Sequence, residues 1–186
     1  MISLPQLWLP VLLSAVLVFV ASSLIHMVVK WHDSDYLTLP NEDEVRAAIR
    51  KTNPAPGQYL LPRISDMSLL KTQEVQRKFT EGPVGFLALK KSGTPNMGPA
   101  LVQWFVFALV VSIFAAYLGS RTLSPGTQYL KVFRIAGTIG FLGYAAGAVP
   151  AAIWMGKPWR SAAKELADGF IYGLLTGGAF GWLWPR

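Results

Sequence analysis

His26, His32, Asp33 and Asp35 lie within ten residues of one another and are the one grouping in this chain with the donor types of a metal site. Where thiolates are absent, zinc takes three or four nitrogen and oxygen ligands. His26 and Asp33 are seven residues apart and His32 and Asp35 three apart, so a helix continuing that far would place each pair on one face. The same stretch, Trp31-His32-Asp33-Ser34-Asp35-Tyr36, also reads as the polar and aromatic exit from a membrane helix. That plainer reading is preferred, and no cofactor is expected.

Other chemistries lack their residues. The 186 residues include no cysteine, which excludes disulfides, thiolate metal sites, cysteine-held iron–sulfur clusters and c-type haem. No serine stands in a nucleophile-elbow setting, and no relay of acids runs through the apolar segments. Gly137, Gly140 and Gly143 are three apart but fall inside an apolar run, so they do not form a phosphate-cradling loop after a strand. A non-enzymatic chain is expected.

Composition says what positions these residues. Apolar residues make up 52% and charged residues 15%, against roughly 25% charged in soluble domains. An integral membrane protein is expected. The net charge of +7 comes from Lys and Arg dispersed among acids or flanking apolar runs. There they suit anionic lipid headgroups, and nucleic acid is not an expected partner.

Four apolar stretches follow: Leu7–Val29, Ala100–Leu118, Val132–Met155 and Leu166–Trp184. The first reads as an uncleaved anchor, because Met1–Gln6 lacks Lys and Arg and the apolar run is longer than a signal peptide needs. All seven tryptophans fall near ends of these stretches, which reads as an aromatic belt at the headgroups. The expected fold is an all-α transmembrane bundle of four helices, organised as a first helix over 1–30, a small α+β extramembrane insert over 31–99, and helices two to four over 100–186.

Within the insert, Asn41 reads as the cap of a helix ending by Asn53-Pro54, and Thr72 as the cap of a second over Gln73–Glu81. Gln58–Leu61 and Val84–Leu89 read as short strands. About 65 residues with two short strands make a marginal core, so packing on the membrane or on a partner is expected. Arg121, Lys131, Arg134 and Arg186 mark one side; Lys157, Arg160 and Lys164 mark the other. Four against three favours the Arg121–Lys131 loop and both termini in the cytoplasm, with the insert exported.

Glycine spacing is the clearest pattern. Gly169, Gly173, Gly177 and Gly181 recur every fourth residue, and Gly143 and Gly147 repeat that spacing. Such a glycine zipper allows a second backbone to approach closely, within the bundle or from another subunit. Gly173→Leu or Gly177→Leu is then expected to weaken association or folding, and Ser14→Leu to be mild. Pro150 predicts a kink in the third helix. Arg134 and Asp168 lie within about two turns of helix ends and are expected to snorkel to the interface without pairing.

Trp31-His32 with Ser34-Asp35-Tyr36, Pro56-Gly57 with Tyr59, and Gly82-Pro83-Val84-Gly85 together resemble a group of small bacterial four-helix inner-membrane proteins with no assigned activity. The resemblance covers most of the chain and implies an envelope location, which makes the exported side the periplasm of a bacterial inner membrane; no site residue comes with it. These features lead to the expectation of an accessory or scaffold subunit of a larger inner-membrane assembly, in contact with other integral membrane subunits and with membrane lipids. The alternative is a small transporter or a lipid- or metal-binding membrane module.

Overall fold

The structure, a computed structural model, describes residues 2–186. It is mostly helical and divides into two compact units, one of 2–36, 96–152 and 157–186 and the other of 37–95 with 153–156.

The first unit is a helical bundle. A continuous helix runs over Leu4–Val29, with α1 at Trp8–Ser23 and a wider, π-wound last stretch at Leu24–Val29. It ends at Lys30, whose left-handed backbone (φ 55°) turns the chain away. Helix α4 spans Gly98–Thr122, α5 Tyr129–Ala145, α6 Ala148–Trp154 and α7 Trp159–Trp182. Three helical segments are long and apolar enough to cross a membrane: Leu4–Val29, Gly98–Thr122 and Tyr129–Trp154. Helix α7 is equally long, but Arg160, Lys164, Glu165 and Asp168 in its first ten residues make it less apolar than those three. The third segment breaks at Ala146–Gly147, between α5 and α6. The proline ring of Pro150 cannot donate to the carbonyl of Ala146, which accounts for the break.

Helices α5 and α7 share the most extensive packing in the bundle, and glycines make it possible. A Cβ on Gly173 would lie 2.8 Å from the carbonyl oxygen of Gly137, and one on Gly177 would lie 2.8 Å from that of Phe133. On Gly169 it would meet Ala145, and on Gly181 the ring of Tyr129. Gly143 faces Val111 of α4 instead, and Gly147 has nothing within 4 Å, so these two do not extend the same ridge. The close-approach face of α7 is therefore filled by α5 of the same chain, not held open for another subunit. At its rim lies a cleft of about 430 Å³ beside the exposed Arg134.

The remaining packing joins α1 to α4 and α7, and α4 to α5. Ser14 is fully buried, and its hydroxyl donates to that of Ser112 on α4 at 2.8 Å. This corrects the expectation that leucine is mild there. The side chain must fit between two helices held at serine distance, and Ser112 would lose the donor at its oxygen while keeping its own bond to the Ala108 carbonyl. Ser14→Leu is expected to lower the unfolding midpoint in detergent by an amount equivalent to about 1–3 kcal/mol. The aromatic-belt reading is also revised for two tryptophans. Trp184 is buried against Gly119 and donates to the Ser124 carbonyl at 3.1 Å, and Trp104 is packed inside the bundle. Trp8, Trp154, Trp159 and Trp182 are exposed.

The second unit contains α2 (Glu42–Lys51), β1 (Gly57–Leu61), α3 (Gln73–Glu81) and β2 (Gly85–Leu89). The strands pair antiparallel, with Tyr59 opposite Leu87. Neither expected cap uses its side chain. Asn41 adopts a left-handed backbone, and its carbonyl accepts from the Glu44 and Val45 amides. The Thr72 hydroxyl turns back to the carbonyl of Leu69, closing the short 3-10 turn at Met67–Lys71 that Asp66 caps. Asp66 accepts from both the amide and the hydroxyl of Ser68, and these bonds hold its carboxyl below the usual range. Among the described residues of this unit only Val75 is a buried hydrophobic.

Candidate functional site

The polar residues of the bundle converge where Leu4–Val29 ends and α7 begins. After Lys30 the chain makes a short turn at Asp33–Asp35, with the Asp35 amide donating to the His32 carbonyl at 2.9 Å. This turn directs His32 and Asp35 toward α7, while Asp33 stays exposed. On α7, Ser161, Lys164, Glu165, Asp168 and Tyr172 follow the three-and-four spacing of one helical face.

His32 lies between two carboxylates. Its Nδ1 is 2.7 Å from Asp35 Oδ2, and its Nε2 is 2.9 Å from Asp168 Oδ2. The imidazole of His26 stacks on that of His32, with centroids 4.8 Å apart and planes 5° from parallel. His26 Nδ1 donates to the Ser22 carbonyl at 2.9 Å. The acceptor is a carbonyl, so Nδ1 carries a proton, and in the neutral ring the lone pair is on Nε2.

Lys164 closes the far side of the turn. Its ammonium donates to Asp35 Oδ1 at 2.7 Å, to Ser34 Oγ at 2.9 Å, and to the carbonyl of Trp31. The bond from Lys164 is the main reason the Asp35 carboxyl is pushed down to about 2; burial opposes it, and bonds from His32 and Ser161 add to it. Lys157 pairs with Glu165 at the mouth. A cleft of about 270 Å³ opens there, with His26, His32, Lys157 and Glu165 on its walls.

Asp168 is the residue that sequence reasoning misplaced. It is 4% exposed, not snorkelled, and it is paired with His32 across 136 positions. An acid inside an apolar stretch was the available signal, but its partner lies in a segment that no spacing connects to α7. Its Oδ1 has no hydrogen-bond partner among the described residues, and neither does the buried hydroxyl of Tyr172. Below them Trp104 packs near Tyr144 and Tyr172 and donates to Ser22 Oγ at 2.7 Å, tying α4 to the helix that carries His26.

Of the four candidate ligands read from sequence, the structure brings His26 and His32 together and turns Asp35 to the outer nitrogen of His32. It leaves Asp33 outside and supplies Asp168 in its place. In a search against known proteins, the chain matches no family model, no curated protein and no solved structure.

Proposed function

We propose that this protein is a non-enzymatic accessory or scaffold subunit of a larger assembly in a bacterial inner membrane, engaging its neighbours through the 37–95 unit. The observation that carries this reading is the nearly coreless state of that unit. It buries Val75 alone among its described hydrophobic residues, while Leu60, Met67, Leu69, Phe79 and Val84 are exposed. Ordering some sixty residues costs roughly 1–2 kcal/mol each in backbone entropy, which one buried valine does not offset. A cleft of about 410 Å³ with Leu60, Met67, Phe79 and Val84 on its walls offers apolar surface for a covering chain. The glycine face is taken up by α5, so the contact is assigned to this unit and not to that face.

In this reading α7 crosses the membrane with the other three segments. Its length supports that, since 24 residues rise about 36 Å. So does the pairing of its polar residues: Asp168 with His32, Lys164 with Asp35, and Glu165 with Lys157. The count of Arg121, Lys131, Arg134 and Arg186 against Lys157, Arg160 and Lys164 supports a periplasmic side for the 31–99 segment in this reading.

Purification in mild detergent is expected to recover the protein with other membrane chains in fixed ratio, and Leu60→Glu with Met67→Glu to strip them while leaving the bundle folded. A lone monomer from wild-type cells would overturn the proposal. A second reading, a metal- or lipid-binding membrane module, is favoured by the His26–His32–Asp168 grouping.

A further inference from the structure

We propose that His26 Nε2, His32 Nε2 and a carboxylate oxygen of Asp168 form a binding site for one divalent transition-metal cation of the zinc class, at the end of the bundle where α7 begins. The inference rests on the second reading above and is independent of the accessory role.

The lone pairs carry the argument. One ligand atom from each of the three residues can be chosen so that all lie within 4.8 Å of one another. When His32 Nδ1 donates to Asp35, the neutral imidazole presents an unprotonated Nε2 to Asp168 Oδ2 at 2.9 Å. Two acceptors at that distance repel unless a cation lies between them. A proton satisfies the pair; so does a metal ion, which also draws in the third donor.

Two tetrahedral zinc ligands, each at about 2.0–2.1 Å from the metal, are about 3.3 Å apart. The His32–Asp168 pair therefore opens by only a few tenths of an ångström. His26 is exposed and held by one side-chain hydrogen bond and by its stacking on His32, so binding the ion requires its ring to turn out of the stack.

The surrounding groups match what metal-binding imidazoles need. His26 donates its other nitrogen to a backbone carbonyl and His32 to a carboxylate. Such partners fix the tautomer, and Asp35, which also holds the ring plane of His32, is a positioning residue in that sense. Lys164 keeps Asp35 occupied on its other oxygen, so Asp35 is not drawn in as a ligand. Independently, the buried Oδ1 of Asp168 lacks a hydrogen-bond partner among the described residues. A carboxylate nine-tenths buried and half unsatisfied is costly, and coordination to a metal would relieve it.

The donor set selects the metal class. Two imidazoles and one carboxylate suit zinc, cobalt, nickel or ferrous iron, whereas magnesium and calcium prefer oxygen alone. Three protein ligands leave a fourth position free, and the cleft of about 270 Å³ walled by His26 and His32 gives water or a small anion access to it.

The test uses the full chain in detergent, stripped with chelator and titrated with zinc chloride by calorimetry, then with cobalt chloride by visible absorption. One zinc per chain is expected, with cobalt bands of low-coordinate intensity. His26→Ala is expected to lower affinity at least tenfold while leaving the metal-free melting temperature unchanged, because its only side-chain bond is local. Asp35→Asn is expected to weaken binding roughly tenfold through His32, and Asp33→Ala to change nothing. Zinc is also expected to raise the melting temperature of the wild type but not of His26→Ala. Absence of stoichiometric zinc, or zinc binding that His26→Ala leaves intact, overturns the proposal and leaves a proton as the bridge between His32 and Asp168. Neither outcome alters the copurification result.

Discussion

Gly177→Ala is expected to pry α7 from α5, although it adds a single methyl group. That methyl would lie 2.8 Å from the carbonyl oxygen of Phe133 and 3.1 Å from the Cα of Gly137. Both are backbone atoms, so no side-chain rotation relieves the clash and the helices must move apart. Overpacking of this kind costs about 1–3 kcal/mol. The top of that range is expected here, because close van der Waals contact is what holds helices together in lipid. Leucine at the same position is expected to abolish the pairing. The control lies one residue away: a methyl on Gly178 would meet nothing nearer than the Tyr129 hydroxyl at 3.9 Å. Gly178→Ala is expected to be neutral or slightly stabilising, since alanine is favoured over glycine in a helix by up to about 1 kcal/mol. Unfolding in mixed micelles with increasing dodecyl sulfate would read both. Equal midpoints for Gly177→Ala and the wild type would mean that the α5–α7 contact is not close.

Asp168→Ala is expected to be the most damaging polar substitution in the bundle. The change removes a carboxylate that is 4% exposed and leaves His32 Nε2 facing a methyl group in its place. Removing one member of a buried pair costs about 3–5 kcal/mol. His32 keeps a side-chain exposure of 13%, so some solvent reaches it, and a loss of about 2–3 kcal/mol is expected. The same unfolding experiment, run in excess chelator, separates this structural role from any contribution of a bound ion. Asp33→Ala, one residue from His32 but exposed, is expected to stay within about 0.5 kcal/mol of the wild type. A similar loss for both would show that the Asp168 pair contributes nothing specific.

The two predictions draw on opposite faces of one helix. Small residues at 169, 173, 177 and 181 let α5 approach, and polar residues at 161, 164, 165 and 168 receive the chain leaving the first helix. The first face was legible as a spacing, because a four-residue glycine repeat needs no knowledge of the partner to imply close contact. The second was not. Asp168 and Lys164 read as ordinary interfacial charges, since nothing in their own helix shows what they meet.

Local patterns were likewise readable where the cause is local. The apolar runs, the helix over Gln73–Glu81, the two short strands and the interruption before Pro150 follow from hydropathy, turn residues and a missing donor within a few positions. Asn41 and Thr72 depart from expectation because capping competes with neighbouring turns: the Thr72 hydroxyl is taken by the Leu69 carbonyl. Ser14 departs because burial between helices is a pairwise property, and its partner Ser112 is 98 residues away.

By itself the sequence determined that this chain is apolar enough for a membrane, that it lacks thiol chemistry, and that one of its helices is built for close packing. Only the tertiary structure decided that α5 occupies the glycine face, and that His26, His32 and Asp168 share one site while Asp33 does not. The physical reason is range. Hydropathy and backbone propensity act along the chain within a few residues, whereas a hydrogen bond or a metal-ligand set depends on which distant segments the packing brings within about 3–5 Å.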